Sequence, residues 1–74
     1  MRAREVNQRI RRLGGVMVRQ TGSHRQFAVT YTDPDGTPRT ARTTVAQHPG
    51  DIAPGTLRTI EKNLEPALGK GWLR

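Results

Sequence analysis

The chain contains no cysteine, which excludes a disulfide framework and any thiolate metal centre. Large aromatic side chains are nearly absent: Phe27, Tyr31 and Trp72 are the only three. A chain of 74 residues with so few anchors is expected to form one small domain over residues 1–74. Its thin core would give about 3–5 kcal/mol of net stability, and no separate cofactor-binding unit fits. No apolar run approaches the roughly 20 residues that a membrane span requires. The N-terminal stretch carries Arg2, Arg4 and Glu5 in place of an apolar leader, so a soluble, cytosolic protein is expected. Acidic residues are also scarce. Six stand against 13 basic ones, for a net charge of +7. The excess is concentrated in residues 1–32, where Arg2, Arg4, Arg9, Arg11, Arg12, Arg19 and Arg25 face Glu5 alone. Such a surface favours a polyanion, above all nucleic acid. An acidic protein is the alternative partner, and a solvated surface the functionless one.

What is present orders into five elements. Val6, Ile10 and Leu13 recur at helical spacing and predict a helix over residues 3–13, stopped by Gly14-Gly15. Val16 to Gln20 reads as a short strand with Val16 and Val18 on one face. Thr21-Gly22-Ser23 turns the chain. Gln26 to Tyr31 alternates Phe27, Val29 and Tyr31 inward and is the best strand. Asp33-Pro34-Asp35-Gly36 is a turn. Thr40 to Ala46 gives a third strand, with Ala41, Thr43 and Val45 on one face. After His48-Pro49-Gly50, Pro54 suits the first turn of a second helix, whose stripe is Leu57, Ile60 and Leu64. Pro66 is expected to end or bend it. For residues 65–74 two paths stay open: Trp72 and Leu73 fold back onto the core, or they join a partner surface. The order α-β-β-β-α predicts an α+β fold, a three-stranded antiparallel sheet with both helices on one face. Double-stranded-RNA-binding domains share this architecture, and they present the first hairpin loop to nucleic acid.

That loop holds the chemistry. Arg19 to Phe27 runs Arg-Gln-Thr-Gly-Ser-His-Arg-Gln-Phe. Backbone N–H groups at a glycine turn can hold phosphate oxygens, Ser23 adds a donor, and Arg19 and Arg25 add charge and bidentate grip. His24 can move a proton near neutral pH, where imidazole titrates (about 6.5). RNA carries its own nucleophile, the 2′-hydroxyl, so a base, an acid and phosphate-binding donors suffice to cleave it without a metal. Neither the two distant histidines nor the scattered carboxylates show metal-ligand spacing. By itself, a Ser-His pair beside arginine is more often a surface loop than an active site.

Two ordered strings narrow the choice. Val18 to Phe27, containing Gly22-Ser23-His24, resembles the signature of the HicA toxin family, and His48-Pro49-Gly50-Asp51 through Gly55-Thr56-Leu57 to Ile60 resembles its second motif. The resemblance covers roughly residues 1–64. It implies a double-stranded-RNA-binding-domain-like fold and a bacterial, cytoplasmic ribonuclease toxin that cleaves messenger RNA, halts translation and is blocked by a HicB-type antitoxin in a hetero-oligomer. It implies His24 as the catalytic histidine; Arg19, Gly22, Ser23 and Arg25 are read as RNA-binding, and no cofactor or metal is called for. His48 is expected to be structural, ending a strand beside Pro49. The alternative is a non-catalytic RNA-binding module of the same fold. Two departures stand out. Gly15 replaces the aromatic residue the family carries after the helix-ending glycine, a gap Trp72 is expected to fill, and Arg25 stands where a second histidine often follows. The tail beyond Leu64 exceeds the minimal pattern and is assigned to a subgroup feature or the antitoxin interface.

Overall fold

A computed structural model describes every residue from Met1 to Arg74. The elements are α1 (Ala3–Arg12), β1 (Val16–Thr21), β2 (His24–Thr32), β3 (Pro38–Ala46) and α2 (Pro54–Leu68). The strands form one antiparallel sheet in the order β1-β2-β3. One core joins Ala3, Val6 and Ile10 of α1, Ile60 and Leu64 of α2, and Phe27, Val29, Ala41 and Val45 of the sheet. These four strand residues alternate along β2 and β3, so they share a face, and both helices cover it. The opposite face carries Gln26, Thr30, Arg42 and Thr44, all exposed. No helix is long and apolar enough to cross a membrane.

The expected architecture is therefore present, with several local differences. Helix α1 ends at Arg12, and Leu13 is its C-cap. Leu13 accordingly leaves the helical phase and lies 43% exposed; Ala3 and Asn7 complete the buried stripe in its place. Glu5 fixes the start, its carboxylate accepting a hydrogen bond from the Arg2 N–H at 2.9 Å. Strand β1 is exposed along its whole length. It is an edge strand bonded only to β2, and Val16, Met17 and Val18 stay in solvent. A β-bulge between Met17 and Arg19 also interrupts the expected shared face of Val16 and Val18.

Pro66 does not end α2, which continues to Leu68 before Gly69 breaks it. Near a C-terminus the loss of one N–H donor is tolerable, because only two residues of the helix follow it. The tail then folds back. Trp72 and Leu73 are buried in the core. The Trp72 indole N–H donates to the Glu61 carbonyl at 2.7 Å, and the Leu73 N–H to the Glu61 carboxylate at 3.3 Å. From the other helix, the Arg9 guanidinium donates to the Trp72 carbonyl at 3.2 Å. Arg9 is thus a structural clamp rather than part of the free basic surface. Trp72 seals the space between the helices, but it does not fill the gap at Gly15. There the chain closes tightly: a Cβ at Gly15 would collide with Ile10 Cγ2 and press on Val29 Cγ2 at 3.1 Å.

At the far end of the sheet, Asp33 organises the β2–β3 turn. It accepts from the Thr37 N–H at 3.1 Å and from the Arg39 Nε–H at 2.6 Å. The Arg39 guanidinium, and after it hydrogen bonds from Asp35 and Thr37, hold the Asp33 carboxyl below its ordinary range.

The closest polar tie between helix and sheet is a pair of amides. The Asn7 side chain, 5% exposed, donates to Gln47 Oε1 at 2.7 Å, and Gln47 Nε2 donates back to Asn7 Oδ1 at 3.2 Å. Gln47 Nε2 also reaches the Val45 carbonyl at 3.0 Å.

Two stability predictions follow from this packing. Gly15→Ala overpacks the α1–β2 contact and is expected to cost about 1–3 kcal/mol, read as a lower urea midpoint; an unchanged midpoint contradicts the close approach. Gln47→Ala leaves the buried Asn7 amide unpaired and is expected to cost about 1–3 kcal/mol in the same assay, whereas a loss below 0.5 kcal/mol would contradict the tie (about that much is expected of an ordinary surface change).

Candidate functional site

The site is built at the end of the sheet where β1 turns into β2. Thr21 pairs with His24, so the hairpin closes on two residues, Gly22 and Ser23. Gly22 has φ +58°, and no non-glycine residue has positive φ. Positive φ at the first central position alone defines a type II′ turn, whose backbone twist matches that of the flanking strands. Glycine is thus required here by conformation. The Gln20 side chain braces the turn, donating to the Gly22 carbonyl at 3.2 Å.

His24 is the first residue of β2 and pairs on its other side with Ala46 of β3. Its side chain is exposed. By strand alternation it projects on the face with Gln26, away from the helices. Arg19 projects on that same face, because it pairs with Gln26. The bulge decides this. With Met17 opposite Phe27, an unbroken register would set Arg19 opposite Arg25 on the helix side. One extra residue at Val18 moves it to the face of His24, in the way bulges re-aim side chains.

Arg25 takes the other direction. It pairs with Val45 on the helix-covered face and is half-buried. Its Nε is buried without a hydrogen-bond partner. Ser23 is half-buried, and its carbonyl accepts from the Gln47 N–H at 2.6 Å. The expected cluster is therefore divided. Arg19, the Gly22-Ser23 turn and His24 come together on one face, while Arg25 leaves it.

The structure adds a member that sequence reasoning set aside. His48 stands with its ring centroid 6.4 Å from that of His24, the two rings nearly perpendicular at 85°. Both are exposed. They are brought together because β3 returns antiparallel to β2 and ends opposite His24. Gln47 is the pivot: its backbone holds the Ser23 carbonyl, its side chain holds Asn7 in α1, and His48 is the next residue. The signal was available in principle, since the second histidine follows the third strand by two positions, but only a known register makes it readable.

His48 also borders two shallow clefts. One, of about 200 Å³, lies between His48, Gly50, Asp51 and the start of α2 at Thr56. The other is shared with Arg2, the N-cap of α1, and with Arg4 in its first turn. The first turn of α2 has no side-chain cap, so its N–H groups and the positive end of the helix dipole face this side. No group of three or more His, Asp or Glu side chains is gathered closely enough to hold a metal ion. The arrangement offers two imidazoles, one arginine on the face of His24, further arginines at and on α1 and a helix N-terminus. Chemically it suits an anionic ligand and proton transfer.

No curated protein and no solved structure matches the chain in comparisons at the significance applied. A family model does match, over residues 3–65, a span that contains the Gly22-Ser23 turn, both histidines, the sheet and most of α2. That model describes the HicA toxin of bacterial toxin–antitoxin systems, and with most of its length matched, this chain belongs to the HicA toxin family.

Proposed function

We propose that this toxin is an endoribonuclease that cleaves messenger RNA and so halts translation, with His24 moving a proton at the scissile phosphate. The observation that carries the reading is the placement of His24: exposed, at the end of a type II′ turn, on the same sheet face as Arg19. A histidine in a solvated, cationic setting meets an RNA phosphate without rearrangement of the fold. Arg19 grips the phosphate, while Gly22 and Ser23 present main-chain and hydroxyl donors to it. Arg25 contributes charge from the helix side of the same hairpin. RNA would lie along the hairpin end, the exposed arginines of α1 (Arg4, Arg11 and Arg12) and the uncapped start of α2. The 2′-hydroxyl supplies the nucleophile, so these groups carry out cleavage without a metal or cofactor.

Membership of a toxin–antitoxin family implies a cognate antitoxin. A net charge of +7 suits an acidic one, and long-range attraction of this kind speeds association. In our reading a HicB-type antitoxin forms an inhibitory hetero-oligomer that covers His24, and both act in the bacterial cytoplasm.

The test separates an enzyme from a binding module. Purified wild type and His24→Ala are incubated with a mixed-sequence transcript, and cleavage and binding are measured side by side. The expected result is a loss of about 10²–10⁴-fold in cleavage, with RNA binding and the melting temperature retained and growth arrest on expression abolished. RNA bound but left intact by wild type would establish a non-catalytic module instead, and equal cleavage by both proteins would remove His24 from the mechanism.

A further inference from the structure

The histidine pair has a use beyond that of His24 alone. We propose that His24 and His48 form a two-histidine acid–base pair, so that His48, too, is a catalytic residue; this rests on the reading of the protein as a ribonuclease. Cleavage through the 2′-hydroxyl needs two proton movements at one phosphate. As the 2′-oxygen forms its bond to phosphorus, its proton passes to a neutral imidazole. As the phosphorus–O5′ bond breaks, its electron pair goes to the 5′-oxygen, which takes a proton from an imidazolium. The products are a 2′,3′-cyclic phosphate and a 5′-hydroxyl end, and exchange with water resets both rings.

The geometry fits this division. The two oxygens lie on opposite sides of one phosphorus. Ring centroids 6.4 Å apart, each with a hydrogen-bond reach of about 2.6–3.2 Å, span them from two sides. The rings are edge to face and both exposed, so neither is consumed in the core. His48 takes no part in any hydrogen bond that holds the fold, whereas its neighbour Gln47 takes part in several. A structural duty thus sits on Gln47, and His48 is held in place at the site without having one of its own.

The charged groups around the pair are mostly cationic. Arg25 follows His24 in β2, Arg19 lies on the face of His24 from β1, and Arg2 and Arg4 at the start of α1 border His48. Asp51, in the loop before α2, is the one carboxylate bordering it. Each histidine keeps its own role in the pH profile: the base must be neutral and the acid protonated, so cleavage rises and then falls as pH increases.

The test uses the full chain and a short oligoribonucleotide spanning a cleavage site mapped on a transcript. The rate is measured from pH 5 to 9 for wild type, His24→Gln and His48→Gln, with circular dichroism confirming that each is folded. A second substrate carries sulfur in place of the 5′ bridging oxygen, a leaving group that needs no proton. The expected result is a bell-shaped profile for wild type and a loss of about 10²–10⁴-fold for each variant. The variant lacking the base loses the low-pH limb, and the one lacking the acid loses the high-pH limb. The sulfur substrate restores the acid variant to within about 10-fold of wild type and leaves the base variant slow. His48→Gln cleaving as fast as wild type, or both variants staying slow on the sulfur substrate, overturns the pair while leaving the nuclease reading intact. Wild type that cleaves no RNA overturns the nuclease reading itself.

Discussion

The site depends on Gln47. Its backbone N–H holds the Ser23 carbonyl of the first hairpin, and its side chain exchanges two hydrogen bonds with the buried Asn7 of α1. One residue therefore fastens the β1–β2 turn, the end of β3 and the first helix to each other. Buried amides must be paired, since an unpaired one forfeits its hydration without return. The clamp is consequently specific: a one-residue slip of β3 would remove both amide bonds and separate His24 from His48 together. In a domain this small, whose core has only Phe27 and Trp72 as buried large aromatics, such a polar tie contributes register as much as energy.

Local backbone devices then decide which charges share the face of His24. The type II′ turn at Gly22-Ser23 starts β2 at His24, and the bulge at Val18 turns Arg19 onto the same face. Alternation sends Arg25 to the helix side. Four arginines close together in sequence or space thus have different duties. Arg19 shares the face of His24, Arg25 is half-buried, Arg9 is bound to the tail carbonyls, and Arg4 borders the cleft at His48. A net charge of +7 describes the attraction of the whole surface for polyanions, but it says nothing of this division.

Much of the fold was legible in the chain. The helical spacing of Val6 and Ile10, the alternation of Phe27, Val29 and Tyr31, and the proline at the start of α2 are local signals, and each produced the expected element. What was not legible required knowledge of register or of a tertiary contact. The bulge at Val18 has no glycine to mark it, so Arg19 and Arg25 read as equivalent. Pro66 reads as an end or a bend because local rules cannot know that the helix needs only two more residues. The five residues between Thr32 and Pro38 do not fix the β2–β3 pairing as strictly as a two-residue turn would. Consequently nothing local places His48 beside His24, and a position next to a proline reads as merely structural. Gly15 is the converse case. As a missing aromatic it suggests a loosened core, yet Ile10 and Val29 already fill the space, and the tail closes a different gap by way of Trp72 and Glu61.

Taken together, these features describe a toxin-family fold that brings two histidines, Arg19 and the Gly22-Ser23 turn to one end of its sheet. In the proposed function, an antitoxin that covers that end silences the toxin. The chemistry we assign leaves a distinct mark on its product, because internal attack by the 2′-hydroxyl and attack by water break different bonds. The most direct measurement is the identity of the RNA ends left by the purified protein in buffer containing a metal chelator. The account predicts 2′,3′-cyclic phosphate and 5′-hydroxyl ends; 3′-hydroxyl and 5′-phosphate ends, formed only when a divalent metal is restored, would contradict it.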